Sequence, residues 1–213
     1  MWSPHKYATV LVTGCTLGVL GILGVPSANA SDSTSNVDAA ATVPATGKFT
    51  FTTSPGIVPA WTHAGIELSA ISPASLTELS LSASERLEIP VVAKTGSAIA
   101  LSNGFRFTNK KTREVVNCFI PTLDTRARVL DCVTIGPGAV WETNKVFFAI
   151  SEIDSRETVT VLENRKTTMT GIELVIPDSA TAKFFNDQLS TTVFTTSVTV
   201  ATGTLDVTRR ATS

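Results

Sequence analysis

Short segments in which apolar and polar residues alternate, separated by turn residues, recur from residue 48 towards the C-terminus and constrain this chain more than any other feature. A period of two is typical of strands that bury one face. Thr supplies 33 of the 213 residues, and this β-branched residue favours strands. The predicted strands are Lys48–Thr53, Gly65–Ala70 (continuing from the Trp61 region), Leu87–Ala93, Ala98–Leu101, Phe105–Thr108, Arg113–Ile120, Ala127–Ile135, Lys145–Ile153, Thr158–Leu162, Thr168–Ile176, Val193–Val200 and Thr204–Thr208.

Turn signals join several of these strands into hairpins. Asn103-Gly104 supplies the positive φ angles of a type I′ turn. A second hairpin is predicted to turn at residues 109–111, and a third near residues 121–125. Consecutive hairpins predict antiparallel pairing.

Two helices are predicted beside the strands. A Ser-Pro pair at 72–73 predicts a short helix over Ala74–Leu81. The clearer helix spans Ser179–Leu189, where Asp178 or Ser179 can cap the first backbone N–H groups. Its apolar face consists of Ala182, Phe185 and Leu189. The predicted fold is therefore mainly β, an antiparallel β-sandwich or two packed sheets with one or two short helices, in a single domain over residues 48–213.

The first thirty residues have the pattern of a signal peptide. Lys6 precedes an apolar run over residues 8–25, and Ala28-Asn29-Ala30 forms a small-x-small cleavage site. Two alternatives stay open: the 18-residue run as a membrane anchor, and acylation at Cys15 in a lipoprotein-like box. Residues 31–47 are rich in Ser, Thr and Ala and predict a flexible leader.

Removing 30 of 213 residues leaves 183, and the loss restricts the available chemistry. The processed chain keeps one His, His63, and has neither Tyr7 nor any other Tyr. No stable membrane span remains after cleavage. With a net charge of −1 for the full chain, no broad positive field exists for capturing nucleic acid.

Cys118 and Cys132 flank the third predicted hairpin, and their numbers centre on Thr125. An exported protein meets oxidising conditions, so we predict a disulfide across this hairpin, with two free thiols as the alternative. Two Cys and one His are too few for a comfortable zinc site. We predict no metal and no cofactor.

No catalytic motif surrounds the residues that could carry chemistry. His63 stands without a nucleophile elbow or a zinc-binding helix motif elsewhere in the chain. Carboxylates near the central hairpins lie at predicted turns and strand ends, where solvated charges are normal; these are Asp124, Asp131, Glu152 and Asp154. We expect no enzymatic activity.

The middle of the chain is locally basic. Two adjacent hairpins could gather its cations into one binding patch for acidic envelope polymers or lipid headgroups. The alternative is protection of edge strands against aggregation. The residues of this predicted patch are Arg106, Lys110, Lys111, Arg113, Arg126 and Arg128.

An internal echo suggests a duplication. Gly-Ile-Glu-Leu occurs at residues 65–68 and again at 171–174. Each copy leads towards a Pro, a predicted short helix and a β run that ends in Thr-Gly. The segments 65–100 and 171–207 are either two copies of one strand–helix–strand unit or a coincidence of biased composition.

Several stretches are similar to small secreted proteins of actinobacteria with no established function. They are Leu87–Lys94, Gly104–Asn109, the pairs Asn117-Cys118 and Asp131-Cys132, Phe185-Asn186 and Val198–Thr208. A fainter likeness is to the closing part of HtaA-type haem-binding domains. That resemblance implies haem ligation through Tyr and His, whereas the processed chain has His63 and no Tyr.

We therefore expect a secreted, non-catalytic extracellular or cell-envelope protein with a binding or structural role. A cell-envelope polymer or another secreted protein is the expected partner. The alternatives are a haem- or small-ligand-binding module and a secreted hydrolase that uses His63.

Overall fold

The computed structural model describes residues 41–80, 83–135 and 141–210, which all belong to one compact unit. The predicted signal peptide over residues 1–30, Cys15 and residues 31–40 of the predicted leader lie outside the described residues. The strands are β1 (Thr42–Thr53), β2 (Ile66–Ala70), β3 (Ser75–Leu79), β4 (Ser84–Thr95), β5 (Ala98–Leu101), β6 (Phe105–Asn109), β7 (Val115–Asp124), β8 (Val129–Ile135), β9 (Trp141–Glu152), β10 (Ser155–Val161), β11 (Asn164–Val175) and β12 (Thr199–Arg210). The helices are α1 (Ile57–Ala64) and α2 (Ser179–Gln188).

Eight of the strands close into an antiparallel barrel. Their order around the ring is β7, β5, β4, β1, β12, β11, β9 and β8, and the pairing of β7 with β8 completes it. Outside the ring, β6 pairs with the first residues of β7 and β2 pairs with β6, while β3 pairs with β4 and β10 pairs with β11. The chain is mainly β with two short helices, as predicted.

The closed barrel corrects the predicted sandwich. Local alternation predicts which segments are strands and which neighbours form hairpins. Closure also needs long-range pairs, such as Phe49 with Leu205 between β1 and β12. Nothing in a local pattern distinguishes strands that close a ring from strands that pack as two layers, so this part of the fold class was wrong.

Aromatic rings fill the region where the strands meet α2. Phe185 stacks on Phe194 with ring centroids 4.9 Å apart, and it meets Phe147 edge-on at 5.0 Å. Phe107 makes edge contacts with Phe185 and with Trp61. Each such pair contributes about 0.5–1.5 kcal/mol beyond the area that it buries, so this cluster fixes the position of α2.

The predicted C-terminal helix is confirmed and ends one residue early, at Gln188. Asp178 caps it, because its carboxylate accepts a hydrogen bond of 2.7 Å from the backbone N–H of Thr181. That hydrogen bond also lowers the pKa of Asp178 below its ordinary value. The predicted apolar face, Ala182, Phe185 and Leu189, is buried.

Two local predictions were wrong. The predicted helix over Ala74–Leu81 is instead strand β3, where Leu76 lies opposite Leu87 on β4. Pairing with β4 overrides the local helix preference. The predicted strand Gly65–Ala70 is present as β2, but it does not continue from Trp61. Trp61 lies instead in α1, and two glycines with φ of +87°, Gly56 and Gly65, flank that helix.

The two ends of the domain also differ from expectation. Strand β1 begins at Thr42, so residues 42–47 of the predicted flexible leader pair with β12 and β4. The predicted strand Val193–Val200 is irregular until Thr199. Its backbone polar groups at Phe194 pair with the side-chain amide of Asn186, at 2.9 and 3.1 Å, which replaces the missing strand partner.

The predicted disulfide is confirmed. Cys118 and Cys132 are bonded, their Cα atoms lie 5.0 Å apart, and both side chains are buried. The two residues are not directly opposite as predicted, because Phe119 pairs with Val133 and the register shifts before Thr122. The bond therefore pins an irregular stretch of the pair that closes the barrel.

The internal echo does not correspond to two like units. The first copy forms β2, which lies outside the ring and pairs with β6, and is followed by strand β3. The second copy lies in β11, which is one of the eight strands of the barrel, and is followed by helix α2. The strand–helix–strand unit is therefore absent from the first segment, 65–100.

Removing the disulfide should weaken the fold. The disulfide joins residues 14 positions apart and so reduces the conformational entropy of the unfolded chain. We expect the double variant Cys118→Ala/Cys132→Ala to lose about 3 kcal/mol in the free energy of unfolding. Urea unfolding of the oxidised protein, the reduced protein and the double variant measures this. Equal stability of the oxidised and reduced proteins would contradict the assignment.

Gly47 should tolerate no side chain. A Cβ there would lie 2.0 Å from the carbonyl oxygen of Asp206 on β12, at a φ of +138°. We expect Gly47→Ala to cost about 2–4 kcal/mol through strain and backbone displacement. The matched control is Gly56→Ala, which has a φ of +87° and open space around it, and which should cost about 1 kcal/mol. Urea unfolding measures both variants. Equal losses in the free energy of unfolding for Gly47→Ala and Gly56→Ala would show that β1 and β12 separate easily at Gly47.

Candidate functional site

The structure separates the predicted basic patch. Lys110, Lys111 and Arg113 lie in the turn before β7, whereas Arg126 and Arg128 lie in the turn after it. Ten residues of strand place the two turns roughly 30 Å apart. Arg106 lies on β6, opposite Ser69 and Asn117, and is exposed. The six cations therefore do not form one surface.

His63 lies in the last turn of α1 and is exposed. Its backbone carbonyl accepts a hydrogen bond of 3.4 Å from Nζ of Lys111. The contact links α1 to the turn before β7 and involves no imidazole atom. The contact given for His63, the residue expected to carry any hydrolytic chemistry, therefore uses its backbone and not its side chain.

Two carboxylates of the central hairpins, Asp124 and Asp131, lie close enough to interact and have different surroundings. Asp124 accepts hydrogen bonds from Ser97 and from the backbone N–H groups of Arg126 and Ala127, which fixes the turn after β7. Burial raises the pKa of Asp131, and the charge of Asp124 raises it further. Asp124 therefore stabilises the turn of the β7–β8 hairpin, whereas Oδ1 of Asp131 is buried with no hydrogen-bond partner among the described residues.

A cleft of about 370 Å³ lies beside α1, β2 and the connection from β3 to β4. We call it the Trp61 cleft. Its large apolar side chains are Val58, Trp61, Ile66, Leu68 and Leu79. Its volume falls within the range of small-molecule sites, which combine an apolar wall with a few polar groups.

Three carboxylates supply the polar part of the Trp61 cleft. Glu78 on β3 lies directly opposite Glu85 on β4, and Glu67 on β2 also lines the cleft. Oε2 of Glu85 is buried and has no hydrogen-bond partner among the described residues. Burial raises the pKa of Glu85, and the charges of Glu78 and then Glu67 raise it further.

One cation offsets part of this charge. Nζ of Lys110 lies 3.1 Å from Oε1 of Glu67, and Lys110 lines the cleft as well. This pairing leaves Glu78 and Glu85 without a described ion-pair partner. The Trp61 cleft is therefore negative at its β3–β4 side and apolar at its α1–β2 side.

The described lining of the Trp61 cleft contains no His, Cys, Met or Tyr. Residues 41–80, 83–135 and 141–210 contain no group of three His, Cys, Asp or Glu side chains that could hold a metal ion. Within the same ranges no helix has the length and apolar character needed to cross a membrane.

Most of this cleft is not predictable from local sequence patterns. The predicted helix over Ala74–Leu81 contains Glu78, and a helix does not bring Glu78 opposite Glu85. A strand prediction for residues 75–79 would have paired the two glutamates in a hairpin. Trp61 was likewise assigned to a strand rather than to the helix that packs it against Phe107.

Comparison with known proteins adds no relative: no family model, no curated protein and no solved structure matches this chain.

Replacing Glu85 tests the electrostatics of the cleft. A carboxyl whose pKa is raised in the folded state loses stabilising free energy as pH rises through that pKa. Glu85→Gln should therefore raise the free energy of unfolding by about 0.5 kcal/mol at neutral pH. The gain should vanish below about pH 3.5, where the carboxyl is protonated in both states.

Urea unfolding at both pH values measures the difference, with Glu157→Gln on exposed β10 as the control. A destabilised Glu85→Gln protein at neutral pH would show that Glu85 has a stabilising partner.

Proposed function

We propose that this protein is an exported, non-catalytic binding protein that holds a small organic cation with an apolar substituent in the Trp61 cleft. The observation that carries the proposal is the cleft's composition. Three carboxylates and one Lys face a wall of five apolar side chains. A ligand with an ammonium or guanidinium group and an apolar body fits both halves of the cleft. Its cationic group donates hydrogen bonds to Glu85 and offsets that residue's negative charge, and its apolar body covers the apolar side chains.

Two observations support export. The N-terminal thirty residues predict a signal peptide. The disulfide between Cys118 and Cys132 is compatible with an extracellular protein, since such bonds persist in oxidising compartments.

The placement of His63 supports a non-catalytic role over the alternatives. A hydrolase that uses His63 would need that side chain at the cleft, and His63 is not among the residues that line it. A haem-binding module would need an axial ligand such as His, Cys, Met or Tyr, and the described lining of this cleft offers none.

Calorimetric titration of the processed protein with phenethylammonium tests the proposal. Phenylacetate, of similar size and opposite charge, is the matched control ligand. We expect saturable binding of the cation alone, weakened about tenfold by Glu78→Gln, since a charge-assisted contact contributes about 1.5 kcal/mol. The control variants His63→Ala and Glu157→Gln should bind as the unmodified protein does. Equal binding of phenylacetate, or an unchanged affinity in Glu78→Gln, would contradict the cation site.

A further inference from the structure

Four cations from four strands gather at the end of the barrel away from the Trp61 cleft. They are Lys94 on β4, Arg156 on β10, Arg165 on β11 and Arg209 on β12, and we call them the cationic mouth. Arg165 lies directly opposite Arg209, which in turn lies opposite Ala45 on β1. Lys94 lies opposite Val43, which precedes Ala45 by two residues on β1.

By strand register the four residues share the sheet face of buried core residues, while Arg165 and Arg156 themselves are exposed, the latter on β10 outside the ring of eight strands. Arg209 follows the buried residues Leu205 and Val207 at intervals of two, and Arg165 shares its face through the pairing of Met169 with Leu205. Arg156 lies opposite the same buried Met169.

Lys94 reaches the same face through β5, where it lies opposite the buried Ile99. Lys94, Arg165 and Arg209 therefore stand where the buried residues of their strands end, and Arg156 reaches this group from the level of Met169 on the neighbouring β10.

None of the four has an ion-pair partner among the described residues, although neighbouring cations do. Nζ of Lys166 lies 3.6 Å from Asp206, and Nη2 of Arg210 lies 3.1 Å from Glu163. Lys166 and Arg210 directly follow Arg165 and Arg209 and point to the opposite face. The outward cations of these two strands are thus neutralised, whereas the inward ones are not.

The inward cations repel one another. Like charges directly opposite on paired strands are destabilising, and Arg165 with Arg209 is such a pair. Burial lowers the pKa of Lys94, and the charges of Arg156, Arg209 and Arg165 lower it further.

The charge of Asp124 acts in the opposite direction and favours the charged form of Lys94. Its Oδ1 already accepts hydrogen bonds from Ser97 and from the backbone of its own turn. The mouth therefore keeps an excess of positive charge.

We propose that the cationic mouth binds a multivalent oxyanion. Three of its four cations are guanidinium groups, which present paired donors that match phosphate and carboxylate oxygens. A compact anion with two or more charges would neutralise the excess charge of several strands at once. Such groups repeat along acidic envelope polymers, the partner class expected from the sequence. This site has the opposite charge preference to the Trp61 cleft and does not depend on the function proposed there.

Calorimetric titration with inorganic tripolyphosphate, at about 50 mM and about 200 mM salt, tests the proposal. We expect one saturable site whose affinity falls at least tenfold in Arg165→Gln/Arg209→Gln and in the single variant Arg156→Gln. The matched control, Lys166→Gln/Arg210→Gln, removes the same number of charges from the same strands and should change affinity less than twofold. Absence of saturable binding at the lower salt, or equal weakening in the control, would overturn the site.

A citrate titration separates the two sources of negative charge. Comparable affinities for citrate and tripolyphosphate assign the site to multivalent oxyanions in general, and binding of tripolyphosphate alone assigns it to phosphate.

Thermal unfolding gives a second readout. Without anion at low salt, Arg209→Gln should melt at a higher temperature than the unmodified protein, because the opposed charge is gone. A lower melting temperature would show that Arg209 is already neutralised and would contradict the proposal.

Discussion

The pairing of β7 with β8 closes the sheet on itself, and the positions of both proposed sites depend on that closure. The disulfide joins these two strands where their register shifts. With the ring closed, alternate side chains of eight strands share one interior, and α2 packs through Phe185 against the aromatic rings of Phe147 and Phe194. An open sheet would leave the same residues on an exposed face.

Closure also separates charge along the barrel. Strand β4 carries Glu85 near its start and Lys94 near its end, which places the two about 30 Å apart. The carboxylates of the Trp61 cleft gather near one end and the unpaired cations near the other. A net charge of −1 for the full chain therefore conceals two regions of opposite sign.

How much the sequence predicts depends on how local the determining interactions are. The hairpin that turns at residues 109–111, the capped helix at Ser179 and the disulfide each depend on residues close in the chain, and each is present in the structure. The hairpin predicted at Asn103-Gly104 is wrong: β5 pairs with β4 and β7, β6 pairs with β2 and β7, and of the two turn residues only Asn103 has a positive φ. The helix predicted over residues 74–81 fails because pairing with β4 decides that segment.

The cationic mouth depends on the register of strands that are far apart in the sequence. Lys94 and Arg209 are 115 positions apart and meet through β1. No composition window reveals such a cluster. The basic run around residues 106–128 is visible in the sequence, yet its cations lie at both ends of β7.

The central claim is that one closed barrel carries two independent sites of opposite charge preference. Backbone amide NMR shifts of the processed protein, followed during separate titrations with phenethylammonium and tripolyphosphate, test it most directly. The account predicts two sets of residues that do not overlap: amides of α1, β2 and the β3–β4 connection for the cation, and amides around Lys94, Arg156, Arg165 and Arg209 for the anion. A single common set, or small shifts spread over all twelve strands, would contradict it.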